Sequence, residues 1–201
     1  MEQRDEFRTI EHRAQASVRI QRSEFIAIVL PAESAGAFEV ALEDITREYH
    51  DATHHCWAWR VLFDGRIEER SSDAGEPSGT AGRPILQAIE SADLVNLGLV
   101  VVRYFGGVKL GTGGLSRAYR DAAREVLGEV KVRTILLCDR ISIIVPFPSL
   151  STAYRLLDPP DIVLVEERYG ETNVFVVDVR KSLRPRIEQE LIERRFRYTV
   201  S

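Results

Sequence analysis

The stretch VVRYFGGVKLGTGGLSRAYRDAAR, residues 101–124, places Gly106, Gly107, Gly111, Gly113 and Gly114 between a β-branched run and a row of cations. After a strand, glycines permit positive φ and let a second backbone or a ligand approach closely. The helix start that follows offers unpaired N–H groups and the positive end of the dipole, an anion site. Lys109 precedes Gly111 and no GK[ST] follows, so this is not a Walker A loop, nor is it GxGxxG. Beyond the glycines, Arg117, Arg120 and Arg124 recur at spacings of three and four on one outward helix face. Such a row suits phosphates spaced along a polymer. The same spacing also describes a solvated face with internal pairs such as Arg117–Asp121.

Two further stretches carry reactive residue types. In DAGEPSGTAGRP, Asp73 to Pro84, Asp73 and Glu76 could act as a base or hold a divalent cation, although carboxylates three residues apart in a loop are common. Ser78 and Thr80 could bind phosphate or cap the next helix, and Arg83 lies near its start. In HHCWAWR, strand alternation puts His54, Cys56, Ala58 and Arg60 on one face and His55, Trp57 and Trp59 on the other. His54 with Cys56 could be a nucleophilic pair or two zinc ligands with Cys138 as a third, but a structural site takes four. The preferred reading is a core strand with both tryptophans packed beneath. Tyr104 and Phe105 could stack on bases or simply end a core strand.

These residues need elements to position them. ASVRIQ and EFIAIVL flank Arg22-Ser23 as a hairpin, and Ser34 caps a helix through Tyr49. Thr53–Phe63 reads as a strand ending at the turn signal Asp64-Gly65. A loop over SSDAGEPSGTAGRP leads to a helix with Ile85, Leu86 and Ile89. LGLVVVRYF is a strand buried on both faces, and a helix with Leu115, Ala118, Tyr119, Ala122 and Val126 inward runs to about Leu127. Strand 140–145, helix 149–157, strands 162–168 and 173–180, helix 182–194 and strand 196–200 then follow the ferredoxin-like order. The first dozen residues read as a frayed terminus or a short edge element. A boundary near Val132–Asp139 gives domains 1–135 and 136–201.

The chain has 201 residues and a net charge of −4, which argues against coating nucleic acid through a broad basic surface. Any anion site is local: residues 97–124 hold five cations against Asp121 alone. No apolar run reaches the roughly 20 residues of a membrane span. MEQRDEFRTI lacks the basic end and apolar stretch of a signal peptide, so the expected location is the cytoplasm. Cys56 and Cys138 form no CxxC pair, and no disulfide framework is expected.

DAGEPSGTAGRPIL, VVVRYFGGVKLGTGGLSRAYRDA and the upstream DATHHCWAWR, in this order, together resemble the YigZ/IMPACT family, over about Phe7 to Leu127. The remainder resembles the small domain appended in bacterial members. One departure is Ala74, where the family usually has a second Asp. The resemblance implies an α+β protein of two two-layer sandwiches, the first ribosomal-protein-like and similar to domain IV of elongation factor G. It implies nucleic-acid or ribosome association and brings no established reaction. Eukaryotic relatives restrain a starvation-response kinase through a translational-control protein, using an added N-terminal domain. That partner is not carried over here.

The expected function is therefore non-enzymatic binding of RNA or the ribosome, in the role of a translation or stress-response regulator. Arg83, Arg103, Gly106, Gly107, Lys109, Gly111, Gly113, Gly114, Arg117, Arg120 and Arg124 are assigned to phosphate. Two alternatives stand beside it. One is an enzyme for a phosphorylated small molecule, using Asp73, Glu76 and His54. The other is an adaptor that docks an acidic protein partner. The reading assigns no cofactor, no metal and no oligomeric state.

Overall fold

Alternating apolar and polar residues and two tight turns build the first sheet. The computed structural model describes residues 4–157 and 162–201. Its first elements are β1 (Glu6–Ile10), β2 (Ala14–Ile20), β3 (Ser23–Pro31), α1 (Ala35–Glu48), β4 (His54–Phe63) and β5 (Arg66–Ser72). Then come α2 (Gly82–Ala92), β6 (Leu97–Tyr104), α3 (Gly111–Glu129) and β7 (Val132–Leu136). Gln21-Arg22 and Asp64-Gly65 close the β2–β3 and β4–β5 hairpins with positive φ at both residues, the twist that two-residue hairpins favour. Ser34 caps α1 by accepting from the Ala37 N–H at 3.1 Å. The chain divides into two compact units, Phe7–Ile135 and, with the residues before Phe7, Leu136–Ser201.

In the first unit the strands lie in the order β2-β3-β6-β4-β5, all neighbours antiparallel. The central β6 is buried along nearly its whole length, which its near-continuous apolar sequence requires. Cys56, Ala58, Leu99 and Val101 face α2 and α3, whereas Trp59, Val61, Val100 and Val102 face α1. At Gly98 a Cβ would lie 2.0 Å from the Phe38 ring, so only glycine lets α1 pack here. The α+β class holds. The unit carries one helical layer more than the two expected, because β6 is apolar on both faces and each face needs a cover. The polar start is an edge element: β1 pairs with β7 in a two-stranded sheet. Strand β5, RIEERSS, has little apolar content, and pairing with β4 rather than pattern makes it a strand.

The second unit runs β8 (Cys138–Val145), a 3-10 turn (Phe147–Ser149), α4 (Leu150–Leu156), β9 (Ile162–Arg168), β10 (Asn173–Arg180), α5 (Arg184–Glu193) and β11 (Arg197–Val200). Its sheet order is β11-β8-β10-β9, all antiparallel. Ile141, Ile143, Phe175 and Val177 pack on Ala153, Leu156, Ile187 and Leu191. This βαββαβ succession is the ferredoxin-like one.

Candidate functional site

The loop after β5 is held by one carboxylate. Asp73 Oδ1 accepts the N–H groups of Ala81 and Gly82, both at 2.9 Å, and Oδ2 accepts that of Gly79 at 2.8 Å. Asp73 thus caps α2 from outside the helix, where Ala81 at the cap position supplies no side chain. Burial opposes its charge, but the three N–H bonds outweigh that and hold its carboxyl below the usual range. With both oxygens engaged, Asp73 is a loop organiser rather than a base.

Three residues on, Glu76 turns inward. Its Oε1 accepts from Arg103 Nη1 at 2.5 Å and from the Tyr119 hydroxyl at 2.8 Å. Arg103 comes from β6, so a strand buried on both faces carries a guanidinium into the interior, where it is 4% exposed. The rings of Phe25 and Phe105 lie 5.3 and 5.2 Å from its central carbon, and Nη2 reaches Ser23 Oγ at 3.4 Å. A buried ion pair persists only with such supporting contacts. Burial of Tyr119 and the nearby Cys56 and Glu76 push its phenol well above the usual range, so it stays a donor.

Cys56 Sγ lies 2.9 Å from the Asp73 carbonyl and 3.3 Å from the Tyr119 hydroxyl. Burial pushes its thiol up to about 12. A thiol so placed is no nucleophile, which removes the His54–Cys56 pair. His54 Nδ1 lies 3.0 Å from the Ala74 carbonyl. A carbonyl only accepts, so Nδ1 carries the proton and Nε2, 4.0 Å from Glu76 Oε1, holds the lone pair in the neutral ring. Among the described residues no group of three or more His, Cys, Asp and Glu side chains gathers as a metal site would need.

A cavity of about 440 Å³ opens beside this network. Its polar wall is His54, Glu76 and Arg103; its apolar wall is Pro77, Phe105, Leu110 and Leu115; Lys109, Gly111 and Thr112 close the side at the start of α3. The fold therefore brings the three stretches singled out in the sequence to one place. Arg83, Arg117, Arg120, Arg124, Gly106, Gly107, Gly113 and Gly114 are not among the cavity-lining residues. Arg83, Arg117 and Arg124 are exposed and Arg120 is half-buried.

The glycines divide by task. A Cβ on Gly106 would lie 2.1 Å from the Arg22 backbone, so Gly106 admits the β2–β3 turn. Gly107 and Gly111 have φ of +84° and +70°. The α3 helix then begins with no side-chain cap, leaving its first N–H groups to outside acceptors. Among the described residues, Lys109, Arg117 and Arg124 show no ion-pair partner, and Arg120 reaches Asp121 only at 4.0 Å. Arg22, exposed and placed against Gly106, is a cation that sequence reading missed. It sits in a turn more than eighty residues before Gly106, and strand pairing brings it here.

A two-unit α+β protein with a glycine-rich strand-to-helix junction beside a buried Glu–Arg pair is the class these features define. Residues 21–127 match the Impact N-terminal domain, and the chain belongs to the IMPACT family. It is 44% identical over 141 residues to the IMPACT family member in pol 5′region of Thermus thermophilus, covering 69% of this chain and 73% of that one. It is 38% identical over 112 residues to YigZ of Escherichia coli (strain K12), covering 55% of each. The chain thus spans little more than half of YigZ. A crystal structure of a hypothetical protein aligns over 97% of both chains with a TM-score of 0.68 and 25% identity. The two-domain translational regulator Yih1 aligns over 57% of this chain and 45% of its own, with 27% identity and a TM-score of 0.41. Among the described residues no helix is long and apolar enough to cross a membrane.

Proposed function

We propose that the chain is a cytoplasmic RNA- or ribosome-binding protein that acts in translational control. In this reading Lys109, the first turn of α3 and the row of Arg117, Arg120 and Arg124 contact phosphates, with Arg22 and Arg83 at the flanks. One observation carries the reading. A 19-residue helix opens without a side-chain cap, and among the described residues Lys109, Arg117 and Arg124 have no carboxylate partner, while Arg120 has only Asp121 at 4.0 Å. Unpaired guanidiniums beside free N–H groups favour an anionic polymer. Arg103 is outside the contact set, because Glu76 already occupies it.

The test is binding to a structured RNA at about 50 and 200 mM salt. Even three or four of these phosphate contacts make affinity fall about fortyfold to 150-fold between them. Affinity that ignores salt rejects the reading.

The cavity favours a second reading, an enzyme acting on a phosphorylated small molecule, with His54 Nε2 as the base and Lys109 on the phosphate. Screening phosphorylated metabolites for turnover decides it. Turnover abolished in His54→Ala supports this reading, and a panel with no turnover removes it.

A further inference from the structure

Glu76 has one oxygen engaged and one free. Oε1 takes both Arg103 and Tyr119, while Oε2 meets no donor among the described residues. Its side chain is only 4% exposed, and the open space it touches is the cavity it lines. An acceptor oxygen on the wall of that cavity offers an N–H or O–H of a ligand a partner that no protein donor already holds. His54 lines the same cavity, with Nε2 4.0 Å from Glu76 Oε1.

Other walls ask for different chemistry. Phe105 is 45% exposed, with the Arg103 guanidinium 5.2 Å from its ring, and Pro77, Leu110 and Leu115 add apolar surface to the cavity. Lys109 and the uncapped start of α3 attract an anion. A ligand that satisfies all three is planar and apolar on its faces, carries N–H donors on one edge, and bears a phosphate. The volume of about 440 Å³ lies within the usual range for small-ligand sites.

We infer that the cavity holds a single nucleotide. Its base lies against Phe105 and gives an N–H to Glu76 Oε2, and its phosphate lies at Lys109 and the first turn of α3. This rests on the phosphate-binding reading above and specifies it: the site takes one nucleotide unit, either free or at the end of an RNA strand. The arginine row then follows the rest of the strand. Stacking on one aromatic is sequence-tolerant, whereas the acceptor wall selects for a base with a donor on its pairing edge.

The test is calorimetric titration of the intact protein with AMP, ribose 5-phosphate, inorganic phosphate and a 5′-phosphorylated oligoadenylate. AMP is expected to bind at least about tenfold more tightly than ribose 5-phosphate or phosphate, since base stacking on an aromatic contributes on that order. Lys109→Ala, at an exposed position, should weaken AMP about tenfold with the melting midpoint unchanged, and Phe105→Ala should weaken AMP about tenfold when compared at a temperature where the variant is fully folded. Oligoadenylate competing with AMP identifies a strand end as the source, and AMP binding without competition identifies a free nucleotide. AMP binding no tighter than ribose 5-phosphate overturns the inference, as does unchanged affinity in Phe105→Ala. If structured RNA still binds with steep salt dependence while AMP does not, the RNA reading stands and the cavity assignment falls. AMP binding with no binding of RNA keeps the cavity assignment and refutes the RNA reading.

Discussion

Arg103 and Arg117 lie fourteen residues apart in one cationic segment, yet they do opposite things. Arg103 projects from a strand covered on both faces, so its charge is internal and must be matched by Glu76. Arg117 lies on the solvent side of α3, whose inner side buries Leu115, Ala118, Tyr119 and Ala122. The same residue type is structural in one element and available for binding in the other. What decides is which faces of the element are covered, not the local sequence.

Breaking the internal pair should have the largest effect. Arg103→Met leaves Glu76 charged and buried, at a cost of about 3–5 kcal/mol in unfolding free energy by denaturant titration. Adding Glu76→Gln should recover a good part of that, because the uncompensated charge disappears. An Arg103→Met variant as stable as wild type would mean that the pair is not buried as described.

Next comes the loop carboxylate. Asp73→Ala removes the acceptor of three N–H groups and should cost about 1–2 kcal/mol, as the loss of a helix cap does. The same interaction sets a pH dependence. The carboxyl of Asp73 is depressed in the fold, so its contribution is complete above its unfolded value near 3.8 and is lost as pH falls below it. In the second unit, burial of Asp5 is outweighed by the Arg180 guanidinium at 3.0 Å and by Ser182, which draw its carboxyl down to about 2. Stability there should likewise fall as pH drops from about 3.8 toward 2. Flat stability between pH 5 and 2.5 would contradict both assignments.

Smaller still is Ala74, which has φ of +44° without being glycine. Left-handed backbone costs a non-glycine residue about 1 kcal/mol or more, so Ala74→Gly should stabilise by about 0.5–1 kcal/mol. An Asp at position 74 would tolerate that conformation better than alanine. Ala74 is exposed, and the departure leaves the Glu76 network intact. At the small end, Arg117→Ala and Arg124→Ala should each change stability by less than about 0.5 kcal/mol.

Much of this was legible in advance. Alternation in HHCWAWR placed Cys56 and Ala58 opposite Trp57 and Trp59, and helical spacing placed the buried side of α3, because burial follows the period of the element. The Glu76–Arg103–Tyr119 network was not legible. Its members come from a loop, a strand and a helix, and no spacing rule links positions 76, 103 and 119. Arg103 was read as a phosphate ligand because charge alone suggests exposure. Its place within an apolar strand was the signal that it is interior. For Asp73 the sequence leaves both a base and a cation ligand open for a similar reason: the N–H groups it accepts belong to the backbone, which a list of side chains does not reveal.

The central claim is that the exposed side of α3, and not its buried network, meets RNA phosphates. The most direct measurement is the slope of log affinity against log salt for structured RNA, in wild type and in Arg117→Ala with Arg124→Ala. Each lost phosphate contact should make the slope shallower by about 0.7–0.9, so the pair should remove about 1.4–1.8. An unchanged slope, with RNA still bound, would contradict the account.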